Sequence, residues 1–244
     1  MKSTESMKSL YFEILKDVDP SFFDKNNEAS KYLEGLSGLF LTSLPDGYFD
    51  SSLKIMIIGA ETAGWDVLKK HQYVNISQYI DLAVDKHKKF QTHEINAEKI
   101  DDRGNTFHNF TRALARKIGE NGIVYCNLFC FDWNGKSPVK TKYFNEIKQV
   151  SKRLVQAQLD FFEPDFIIFA NGTSTYAYRR EFFPMQYCSD YFYLKDNGVP
   201  DEHFWGFTYQ GKFKCFRIQH PSTWQVDLGK KTRSLLIEMI VENM

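Results

Sequence analysis

Apolar positions along the chain recur with two different periods. Four short runs, IMII at 55–58, IVYCNLF at 123–129, FIIFA at 166–170 and KFKCFRIQ at 212–219, are dense in β-branched and aromatic residues and predict strands. Between them the spacing becomes helical. Phe107, Phe110, Thr111, Leu114 and Ile118 share one stripe, and Phe144, Ile147, Ser151, Leu154, Val155 and Phe162 share another. Strands that alternate with helices predict right-handed βαβ crossovers. The expected fold is α/β, a three-layer αβα arrangement with a central four-stranded parallel sheet covered on both faces.

The ends fit the same plan. Met7, Leu10, Tyr11, Ile14, Leu15 and Val18 form a helical stripe, and residues 1 to about 50 read as an N-terminal helical layer. Leu235, Leu236, Met239 and Ile240 make the apolar face of a C-terminal helix. The stretch 71–103 mixes helical patches with polar residues and reads either as a lid or as a surface excursion. No repeat, low-complexity tract or linker interrupts the chain, so a single domain over 1–244 is expected.

Composition narrows the functional classes. No apolar run approaches the ~18 residues of a membrane helix, and the N-terminal stripe is broken by polar residues, unlike a signal peptide. A cytoplasmic protein is expected. Lys plus Arg equals Asp plus Glu at 31 each, so no global field draws the chain to nucleic acid. Cys126, Cys130, Cys188 and Cys215 show no CxxC pairing and read as reduced, mostly buried thiols.

In a parallel sheet ligands bind beyond the carboxyl ends of the strands. All four predicted strands end unusually: in GAETAGW at 59–65, CNLFCFDWNGKSP at 126–138, NGTST at 171–175 and QHPSTW at 219–224. One sheet edge thereby collects a carboxylate, amides, hydroxyls, an imidazole and indoles. The strand-terminal glycine with its acidic turn, the asparagine at the second strand's end and the HPS loop after the last strand together resemble the uracil-DNA glycosylase superfamily. The resemblance spans residue 54 to about 225, with a working site at 59–65, Asn127 and 220–225. GAETAGW departs from the usual first motif, which carries proline where Thr62 or Ala63 stands.

That resemblance implies a strand order of 2-1-3-4 and a set of roles. Gly59 and Ala60 would belong to the substrate-binding site. With Gly59 as anchor, Glu61 falls where the family's carboxylate positions the attacking water; a shift of one residue instead matches Ala60 to Gly64 with the glycine-glutamate version of the motif. The alternative for Glu61 is a helix cap. Asn127 matches the base-reading asparagine, whose amide offers donors and an acceptor to a pyrimidine edge. His220 matches the histidine that donates to the departing base. Ser222 could hold a phosphate, and Trp224 falls where an apolar wedge fills the gap left by a flipped nucleotide. Phe107 and Trp65 are the candidates for the aromatic that sandwiches the base. Lys230, Lys231 and Arg233, with Lys136, Lys140 and Lys142, could meet phosphates or simply face solvent. Each of these residues also has an ordinary structural reading in a core or a turn.

No iron–sulfur spacing, zinc pattern around His87 and His93, P-loop or dinucleotide fingerprint is present, so neither metal nor cofactor is expected. The reading is a monofunctional DNA glycosylase that takes DNA containing uracil or a modified base. The second reading is an inactive member of the same fold that binds nucleic acid, a nucleotide or a protein. A third is an unrelated α/β hydrolase of small molecules using Glu61 and His220.

Overall fold

A computed structural model describes residues 2–27, 33–69, 71–98 and 106–242. Strands form where the apolar runs predict them: β1 (Ile55–Gly59), β2 (Ile123–Asn127) and β3 (Phe166–Phe169). Two more, β4 (Cys188–Phe192) and β5 (Phe204–Tyr209), precede β6 (Phe213–Ile218). They build one mixed sheet in the order β2-β1-β3-β6-β5-β4. β1 pairs parallel with β3 and β3 parallel with β6, while β5 and β4 add an antiparallel edge.

The expected four-stranded sheet is therefore corrected to six strands. The four predicted strands do lie in the order 2-1-3-4 among themselves. The other two are hidden for physical reasons. Most of β4 is exposed, so it carries no apolar run. β5 is interrupted by Gly206, where a side chain is excluded: a Cβ there would lie 2.1 Å from the ring of Phe192 on β4. Glycine lets that ring approach the β5 backbone closely.

The helices are α1 (Thr4–Leu15), α2 (Ile76–Asn96), α3 (Thr106–Ile118), α4 (Phe144–Phe162), α5 (Tyr176–Phe182) and α6 (Val226–Val241). α2 occupies most of the stretch that sequence left open; residues 99–103 of that stretch, like 1 and 28–32 of the N-terminal layer, lie outside the described residues. No helix among the described residues is long and apolar enough to cross a membrane.

By internal contacts the chain divides into two compact units. One comprises Met1–Leu44, Ala60–Phe90 and Cys126–Phe162. There a Ser3–Ser6 capping box starts α1, which packs on α4. Tyr11 of α1, fully buried, donates to the carbonyl of Thr42 at 2.7 Å and accepts from the Gln158 amide at 3.2 Å. The other comprises Pro45–Gly59, Gln91–Tyr125 and Glu163–Met244, and so holds β1, β3 to β6 and the start of β2. Ile55 and Ile57 join Phe166, Ile168, Phe216 and Ile218 in a core covered by Phe107, Phe110 and Leu114 of α3 and by Leu236 and Ile240 of α6. Ile55, Met56, Ile57 and Ile58 are all fully buried, so both faces of β1 are covered, as a parallel strand requires.

Candidate active site

β1, β3 and β6 run parallel, so their carboxyl ends share one edge of the sheet. Gly59 closes β1 there, 171–173 follow β3, and His220 stands two residues beyond β6. Gly172 takes φ +67°, and a Cβ on it would touch the Cβ and backbone nitrogen of His220 at 3.4 Å. The glycine thus lets the two loops meet while adopting a backbone conformation other residues resist.

The HPS loop is fixed from several sides. The Thr223 amide donates to the His220 carbonyl at 2.8 Å, and Arg233 of α6 donates to the Pro221 carbonyl at 3.2 Å. The Ser222 amide donates to Nδ1 of His220 at 3.2 Å. An N–H can bond only to an unprotonated ring nitrogen, so Nδ1 is the acceptor and the ring proton belongs on Nε2. Burial, and then the nearby Arg233 charge, hold the imidazole pKa below its ordinary value. His220 is thus a neutral ring with an N–H to offer.

Phe107 lies beside it, the ring centroids 6.0 Å apart and the planes 33° from each other. Most of Phe107 is buried in the α3 core, where it also meets Tyr125 at 5.1 Å. Ser222 is half-buried, whereas Trp224 is 76% exposed, the most exposed large apolar side chain described. Asn171, not singled out by sequence, is 2% exposed, and neither side-chain amide atom has a hydrogen-bond partner among the described residues. A buried amide left unsatisfied is costly and marks a place where a polar ligand could supply the missing bonds.

Ala60, Glu61, Trp65 and Asn127 belong to the other unit. Asn127 is the last residue of β2 and is buried. Trp65 is packed edge-on against Phe40 and Phe90 at 5.0 and 5.3 Å, with the Lys86 ammonium 4.4 Å from its ring. The loop that carries Glu61 is organised by Asp132, a residue sequence reading passed over inside CNLFCFDWNGKSP. Asp132 is 1% exposed. Its Oδ2 accepts from the Thr62 hydroxyl at 2.6 Å and the Gly64 amide at 2.9 Å, and its Oδ1 accepts from the Gly135 amide at 2.8 Å. A buried carboxylate thus ties the 62–64 turn to the 132–135 turn.

Glu61 pays for that arrangement. Burial, and secondarily the Asp132 charge, push its carboxyl up to about 7, and its Oε2 has no hydrogen-bond partner among the described residues. Below pH ~4.5 the carboxyl is protonated in folded and unfolded chains alike, and stability is unaffected. As pH rises toward 7 the unfolded chain ionises first, so stability falls; above about 7 the loss is complete. After allowing for partial solvent access, that loss is on the order of 1–3 kcal/mol. Glu61→Gln is expected to raise the melting temperature at pH 8 and to give no gain at pH 4. Thermal unfolding at the two values checks this; an equal gain at both would place the effect elsewhere.

Cys126, Cys130 and Cys215 are buried and Cys188 is half-buried, all as free thiols. Among the described residues no three His, Cys, Asp or Glu side chains gather to hold a metal ion. No protein-family model matches the chain, and no curated protein matches it in sequence.

Proposed function

We propose that the protein is a divergent uracil-DNA glycosylase-like enzyme that hydrolyses the N-glycosidic bond of a flipped uracil or modified base. The observation that carries this reading is the state of His220. As the bond from sugar to base breaks, its electron pair passes to the base and negative charge collects on a carbonyl oxygen of the base. A neutral imidazole held at Nδ1 by the Ser222 amide can direct its Nε2–H at that oxygen without first losing or gaining a proton. The depressed pKa keeps the ring in this form at neutral pH.

Other features support the reading severally. Water must lose a proton as it attacks the sugar carbon, and the Glu61 carboxyl, with its pKa near 7, suits that exchange. The order of β2, β1, β3 and β6 is the one the resemblance implies. Asn127 ends β2, as a base-reading amide would, and the exposed Trp224 indole suits a wedge that replaces a lost stacking partner. Asn171, two residues past β3 with an unsatisfied amide, is a second candidate for reading the base edge.

The test is an abasic-site assay on oligonucleotides carrying uracil and a panel of modified bases. It is run at low salt, because a chain of balanced charge gains little from phosphate neutralisation. Release of free base and an alkali-labile strand are expected for at least one member. Strands that stay intact across the whole panel would leave only a binding role and sink the enzymatic reading.

A further inference from the structure

A second feature of the sheet unit lies where the loop after β3, α5 and the antiparallel edge line an open cavity of about 530 Å³. Its walls carry three guanidinium groups, from Arg179 and Arg180 of α5 and Arg217 of β6. Arg179 is 4% exposed, and its Nη1 has no hydrogen-bond partner among the described residues. Burial, and then the charges of Arg217 and Arg180, pull its pKa down to about 10. Arg217 is held in position by the carbonyls of Asp201, at 2.8 Å, and Glu202. A buried cation beside two like charges is expensive unless an anion completes it.

The same walls offer aromatic faces and a free acceptor. The Arg179 guanidinium lies 5.2 Å from the Trp205 ring, and Tyr191 stacks on Trp205 at 5.8 Å with the planes 18° apart. Tyr176 and Tyr193 stand half exposed among the lining residues, and Arg180 covers the Tyr176 ring at 4.1 Å. Asp201 bonds Lys195 through Oδ2 at 2.9 Å, while its Oδ1 is buried with no hydrogen-bond partner among the described residues. Arginines suit a phosphate, aromatic planes suit a base, and a lone carboxylate oxygen suits a sugar hydroxyl or a base N–H.

We propose that this cavity binds one phosphorylated nucleoside, its phosphate among Arg179, Arg180 and Arg217, its base against the exposed Tyr191 ring that Trp205 backs, and a donor group on Asp201. The volume falls within the range of sites that hold a small organic ligand. This site does not depend on the base-excision reading, and it serves equally a free nucleotide or one nucleotide of a single strand, which share the same chemistry.

Calorimetric titration of the full chain with thymidine 5′-monophosphate, thymidine, inorganic phosphate, phosphotyrosine and a 5′-phosphorylated thymidine octamer tests it. The monophosphate or the octamer is expected to bind with a Kd below about 1 mM, with thymidine and phosphate each weaker by about tenfold or more. Tighter binding of the monophosphate assigns the site to free nucleotides, and tighter binding of the octamer assigns it to strands. Arg179→Gln is expected to weaken binding by about ten- to a hundredfold. Arg180→Ala, at an exposed position where folding is not at stake, is expected to weaken it by about tenfold. The proposal is overturned if neither nucleotide ligand binds, if phosphotyrosine matches the monophosphate, or if Arg180→Ala binds as the parent does.

Discussion

Replacing His220 with alanine is expected to slow single-turnover cleavage of a uracil-containing oligonucleotide by about 10²- to 10³-fold, the cost of removing one preorganised donor aimed at a developing oxyanion. Affinity for the intact substrate should change little, because the base oxygen acquires its charge only as the bond breaks. A rapid-quench measurement on saturated enzyme, paired with an equilibrium binding titration, separates the two effects. The loop itself should survive, since Arg233 and the Thr223 amide hold backbone carbonyls, Pro221 and His220 respectively, rather than the imidazole. Circular dichroism verifies this. Should the variant cleave at the parental rate, the role of His220 fails and only the fold-level resemblance survives.

The second large effect is expected at Asp132, in stability. Asp132→Ala strips the acceptors from the Thr62 hydroxyl and the Gly64 and Gly135 amides, and the site is too buried for water to replace them freely. Hydrogen bonds to a charged group contribute ~1.5–3 kcal/mol each and are not additive within one cluster. A loss of about 3–4 kcal/mol in urea unfolding at pH 7 is the expected result. Removing Asp132 also removes the like charge that helps raise the Glu61 pKa, so that carboxyl should titrate at lower pH in the variant. An NMR titration of Glu61 reads this directly. A variant as stable as the parent would show that the loop's shape does not depend on this carboxylate.

How much of this was legible in the chain depends on the kind of signal. α4 spans Phe144–Phe162 and α3 ends at Ile118, both where the apolar stripes predict, because each helix buries one face and polar residues fill the other. β1 and β3 were legible because burial on both faces leaves an unbroken apolar run, and β6 because Phe213, Cys215, Phe216 and Ile218 keep it dense in buried apolar residues. β4 was not, since it faces solvent, and neither was β5, whose central glycine records a tertiary contact with Phe192. In the candidate site, motif and position single out His220, but the bond from Ser222 that fixes its tautomer depends on the folded turn. Asp132 lies 70 residues from Thr62, so its role in shaping the first motif is invisible to any local pattern. Arg179 and Arg217 look like ordinary helix and strand cations until the fold brings them to the wall of one cavity.

The interleaving of the two units also sets a timetable for biosynthesis. Every stretch of the first has been made once Phe162 leaves the ribosome, but the second needs residues up to the C-terminus. Those last 82 residues, 163–244, take about 4–16 s at ~5–20 residues per second. Before that interval begins, β1 already waits for β3: Phe166, the partner of Ile55 in that strand, is made 107 residues after Gly59 closes β1. A fully apolar strand with an unfilled edge is an aggregation hazard in a nascent chain. The period between release of β1 and arrival of β3 and β6 is therefore when this protein depends most on chaperones that shield exposed strands.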